Sequence, residues 1–112
     1  MTTIDDTLRI RELNDAFRGA GDGGRILFTA GVSGLGVAFS HQALALVRRF
    51  DAFTPDNDPH REHDFGRIDH NAERVFWKID YYDAAACKFG SEDLADPAKT
   101  VRVLTVMLAE EY

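Results

Sequence analysis

At 112 residues the chain has the length of one domain, and 45% hydrophobic with 29% charged residues excludes a disordered or fibrous protein. No apolar run approaches the roughly 20 residues that span a bilayer. The acidic start MTTIDDTLRIRELND also lacks the basic and then continuously apolar pattern of a signal peptide. The net charge of −6 disfavours direct binding to nucleic-acid phosphates, and a single cysteine, Cys87, excludes an intrachain disulfide. The expectation is a single soluble domain, 1–112, in the cytoplasm.

Residues 3–20 predict a helix. Thr3 and Asp6 have capping-box spacing, and Ile10, Leu13, Phe17 and Ala20 fall on one face. Gly19 and Gly21 in GAGDGG stop it. Residues 25–30 (RILFTA) predict a short strand. After GVSGLG, residues 37–50 predict a second helix that buries Phe39, Ala43, Leu46, Val47 and Phe50. Residues 51–66 (DAFTPDNDPHREHDFG) hold two prolines, Asn57 and several aspartates, and predict a loop long enough to be functional. Residues 65–70 and 73–82 predict two strands joined at Asn71, the second with strict alternation of Val75, Trp77, Ile79 and Tyr81. A polar connection follows. Asp96 as N-cap and Pro97 at the first helical position then predict a last helix carrying Val101, Leu104, Val106, Met107 and Leu108. The expected fold is α+β, in the order α-β-α-β-β-α: three helices on a small, mainly antiparallel three-stranded sheet. So small a sheet leaves room for a homodimer.

The charge is unevenly placed. Residues 1–50 hold five acids against six bases, a balance of +1. Residues 51–96 hold twelve acids against five bases, a balance of −7, and residues 97–112 hold two of each. The excess therefore lies in the middle of the chain, where it suits a basic partner protein.

No complete catalytic signature is present. Gly19, Gly21 and Gly24 spell G-x-G-x-x-G, but between a helix and a strand, the reverse of the dinucleotide context. TAGVSGLG runs from strand to helix without the lysine of a phosphate loop. Ser33 lacks the second glycine of a nucleophile elbow, since Leu35 stands there. Asp56, Asp58, His60, Glu62, His63 and Asp64 are the richest source of metal ligands, but the H-x-E-H spacing of His60 to His63 fits no zinc motif. Arg61 also stands where a calcium loop needs glycine. Cys87 beside Lys88 is a weakly activated thiol at most. Phe76, Trp77, Tyr81 and Tyr82 make a dense aromatic strand with one face toward the core and another available to a partner.

The strings GGRILFTAGV, FDAFTPDNDPHREHDFG, FWKIDYYD and DPAKTVRVLTVMLAEEY resemble the bacterial domain-of-unknown-function family numbered 3768, from about Leu13 to Tyr112. The resemblance implies no activity and no catalytic residue. It implies a setting on plasmids and other mobile elements, where small acidic proteins blunt host defences by mimicking DNA or blocking a basic groove.

These readings converge on a non-enzymatic acidic binding module with no cofactor, of anti-CRISPR or anti-restriction type. It would offer Asp56, Asp58, Glu62, Asp64, Asp80 and Asp83, with Tyr82 as aromatic anchor, to a basic nucleic-acid-binding groove. The alternatives are a small metal-dependent hydrolase using Asp56, Asp58, Glu62 and His63, and a plasmid maintenance factor without an enzyme target.

Overall fold

A computed structural model describes residues 4–21, 24–84 and 93–112. Helix α1 spans Ile4–Ala20 and ends where Gly21, at φ 82, donates its amide to the Phe17 carbonyl at 2.6 Å. Strand β1 follows at Gly24–Phe28, then a one-turn helix α2 at Ala30–Gly34 and the longer helix α3 at Val37–Arg48. No helix or strand forms between α3 and strand β2 at Phe65–His70. Strand β3 covers Glu73–Asp83, strand β4 covers Thr100–Leu108, and a 3-10 turn at Ala109–Glu111 follows.

The β2–β3 hairpin turns on two residues. Asn71 (φ 51) and Ala72 (φ 66) both take the left-handed conformation that a tight two-residue turn requires, and His70 pairs with Glu73. Asparagine tolerates this well, whereas alanine is strained.

The sheet order is β1-β4-β3-β2. β4 pairs with β1 in parallel and with β3 antiparallel, and β3 pairs antiparallel with β2. The fold is α+β as expected, but the sheet is four-stranded and mixed, not three-stranded and mainly antiparallel. The error lies in the last element, since the expected helix of residues 97–112 is mostly strand β4. A central strand is covered on both faces and loses the period-two signature. β4 does this: Leu104, Val106 and Leu108 point to one side, Val103 and Met107 to the other, and all five are buried. Asp96 and Pro97 serve a turn, with Asp96 Oδ1 accepting the Ala98 amide at 2.9 Å.

The core lies on one side of the sheet. Ile68, Val75, Trp77, Ile79, Leu104, Val106 and Leu108 pack against Phe17 of α1, Val32 of α2, and Phe39, Ala43 and Val47 of α3. Each large side chain so buried contributes roughly 1.5–3 kcal/mol. Trp77 is the largest, fully enclosed opposite Gly66 of β2, where a side chain would overlap the indole. α1 departs from its expected stripe. It buries Ile10, Asn14, Phe17 and Arg18, while Ala20 is exposed and Leu13 is only half-buried. Two polar side chains thus enter the interior. Among the described residues, no helix is long and apolar enough to cross a membrane. Thr3 and Cys87 lie outside the described residues.

Candidate functional site

The segment between α3 and β2 is irregular but closely tied. Thr54 and Asn57 bond reciprocally: the Thr54 amide donates to Asn57 Oδ1 at 2.8 Å, and the Asn57 amide donates to Thr54 Oγ1 at 3.3 Å. The Asp58 amide donates to the Thr54 carbonyl at 2.8 Å and the Arg61 amide to the Asp58 carbonyl at 3.1 Å. These are the Asx and Ser/Thr turns that proline-flanked aspartates and asparagines favour. Arg61 (φ 59) and His63 (φ 55) adopt left-handed backbone, which costs a non-glycine residue about 1 kcal/mol or more.

α1 holds this loop at three successive residues. Arg11 Nε donates to the Arg61 carbonyl at 2.8 Å. Asn14 Nδ2 donates to the Glu62 carbonyl at 2.9 Å. Asp15 receives the His63 Nδ1 proton, with its two oxygens at 2.9 and 3.1 Å. The other ring nitrogen, Nε2, lies 3.5 Å from Asp58 Oδ2, and Asp58 Oδ1 accepts the His63 amide at 3.2 Å. The imidazole stacks on Phe53, with centroids 3.7 Å apart and planes 2° from parallel. Asp15 is further paired with Arg18 at 3.0 Å. Arg18 in turn donates to the carbonyls of Val47 and Phe50, filling acceptors at the C-terminal end of α3. Its guanidinium lies over the Phe53 and Trp77 rings.

A second polar group sits alongside. Asn14 Nδ2 also donates to Tyr81 Oη at 2.9 Å, and Asn14 Oδ1 accepts from Arg102 Nε at 2.6 Å. Arg102 reaches on to the Leu94 carbonyl and lies over the Tyr81 ring. Burial, then repulsion from Asp64, pushes the Glu62 carboxyl above its ordinary range. Burial, then Asp58, does the same to Asp64. Burial, then Asp64, raises the Tyr81 phenol and keeps it neutral, while burial lowers Arg102.

The seven residues expected to contact a partner do not share one surface. Asp56 is exposed on the loop. Asp58 is 6% exposed and occupied with His63, so it holds the loop together. Glu62 and Asp64 are half-buried beside Arg102 and Asp58 respectively. Asp80 and Tyr82 project from the face of β3 opposite the helices, where Asp80 pairs with Lys78 at 3.1 Å. Tyr82 and Asp83 line a cleft of ≈ 270 Å³ with Arg25, Leu27, Val101 and Val103. Among the described residues, no three His, Cys, Asp or Glu side chains gather where a metal could bind, and both His63 ring nitrogens already face carboxylates. The strand-to-helix turn also uses its own anion: Glu111 accepts from Thr29 Oγ1, from the Leu108 amide and from the Gly31 amide, and these bonds hold its carboxyl below the usual range, Thr29 first.

Sequence reasoning missed Asn14, Asp15, Arg18 and Arg102. The signal for the first and third was two polar residues at positions i+4 and i+8 from Ile10, along the buried side of α1.

The described residues thus define an α+β domain that holds its longest irregular segment against its first helix by buried polar contacts. Residues 28–111 match the family described as Protein of unknown function (DUF3768), and the chain belongs to that family. No curated protein and no solved structure matches the chain.

Proposed function

We propose that the chain is a non-enzymatic binding protein that presents the loop of residues 51–64 to a basic protein surface. The observation that carries this reading is the triple attachment of an exposed, irregular loop to α1 through Arg11, Asn14 and Asp15. A loop ordered in advance loses little conformational entropy on binding, and irregular segments held on a rigid scaffold are favoured recognition elements. The excess acid of residues 51–96 supports a basic partner. Asp56 and Glu62 are the loop contacts in this reading, Asp58 supports them, and Asp80, Tyr82 and Asp83 form a second patch across the sheet.

The finer reading places the partner among cytoplasmic defence complexes: a CRISPR effector or restriction enzyme whose basic nucleic-acid groove the protein occupies as a DNA mimic. Its support is the local acidity and the mobile-element setting implied by the family resemblance. The test is a binding titration against purified complexes of both kinds over a range of salt. Affinity should fall steeply with salt, and Asp56→Lys with Glu62→Lys should weaken it at unchanged folding. A salt-independent affinity, or one indifferent to the double reversal, would remove this reading.

A further inference from the structure

We propose that the cleft between α1 and the loop, ≈ 290 Å³ in volume, binds a small oxyanion of the phosphate or carboxylate type between Arg11 and Arg61. The chain is acidic overall, yet Arg11 and Arg61 both line this cleft. The carboxylates beside them are already answered. Asp15 lies between Arg18 at 3.0 Å and His63 at 2.9 Å, and Asp58, which lines the cleft, faces the His63 amide and Nε2. Arg11 spends only its Nε on the Arg61 carbonyl, which leaves the paired terminal N–H groups suited to two oxygens of one anion. Among the described residues the Arg61 guanidinium holds no acceptor.

The backbone fixes where that second guanidinium starts. Arg61 is left-handed at φ 59, and both its peptide groups are pinned, the amide to the Asp58 carbonyl and the carbonyl to Arg11. The stacked Phe53 and His63 rings line the same cleft and give it a flat, fixed side. The ligand is opposite in charge to the partner proposed above, so the two readings can fail separately.

The test is a titration of the full chain with inorganic phosphate at constant ionic strength, followed by amide ¹H–¹⁵N shifts, with chloride as control. Saturable shifts should centre on Thr54, Arg61 and His63 with phosphate and be absent with chloride. A parallel titration with acetate separates a carboxylate site from a phosphate one. Arg61→Gly removes the guanidinium but suits the left-handed backbone, so the melting temperature should hold or rise while affinity falls about tenfold. Arg61→Lys should keep part of the affinity. Absence of saturable shifts with both anions, shifts centred on Arg48 and Arg49 instead, or full affinity in Arg61→Gly would each overturn the proposal.

Discussion

Asn14 accepts the Nε proton of Arg102 at 2.6 Å, tying the first helix to the central strand across 88 positions of sequence. The same amide serves Tyr81 and the loop carbonyl of Glu62, so one side chain joins three parts of the fold. Asn14→Ala leaves a buried guanidinium nitrogen without its acceptor and should cost about 2–3 kcal/mol, measured by urea unfolding. A loss below about 0.5 kcal/mol would mean that water replaces the amide there.

Gly66→Ala should destabilise by about 1–3 kcal/mol, because a methyl group at that position overlaps the Trp77 indole. Tryptophan fluorescence should shift along with the melting temperature, since the ring is otherwise fully enclosed. A drop in melting temperature with an unchanged emission spectrum would place the strain elsewhere.

Ala72→Gly should do the reverse. Ala72 is left-handed at φ 66, so glycine relieves strain in the hairpin turn, and a gain of about 0.5–1 kcal/mol is expected from thermal unfolding. Asn71→Gly should gain less, because asparagine already tolerates that conformation.

Glu62 and Asp64 give a pH dependence with a definite sign. Both carboxyls are raised in the fold, first by burial. Between the ordinary carboxylate range and the raised folded values, the folded state holds more protons than the unfolded chain. Stability contributed by these groups therefore falls as pH rises through that window. Glu62→Gln should melt at or above the parent temperature at pH 7, and the difference should vanish in acid below the carboxylate range. A variant less stable than the parent at pH 7 would show that the attraction of Glu62 to His60 and Arg102 outweighs burial.

Local chemistry was legible in the sequence where local chemistry decides the structure. The alternation of Val75, Trp77 and Ile79 specified β3, and Asn71 marked the turn before it. The proline and aspartate content of residues 51–66 marked the long loop. β4 was not legible, because a strand buried on both faces presents a continuous apolar run that also satisfies a buried helix. Asp96 and Pro97, which cap helices well, make turns equally well. The polar site was only half legible. Asp58 and His63 lie five residues apart and could be flagged from spacing, but Asp15 and Arg102 meet their partners across 48 and 88 positions. No local pattern encodes such a meeting.

The place of β4 has a consequence for assembly. β1 and the β2–β3 hairpin pair with β4 and not with each other. Synthesis delivers residues 100–108 after the other strands of the described residues, so a nascent chain carries a lone β1 and a two-stranded ribbon whose partner does not yet exist. An isolated ribbon is barely stable in water, and long-range parallel pairing is slow to form. Joining β1 to the hairpin therefore waits on β4. Removing β4 would leave a lone strand and a two-stranded ribbon with no pairing between them, not a smaller version of the same sheet.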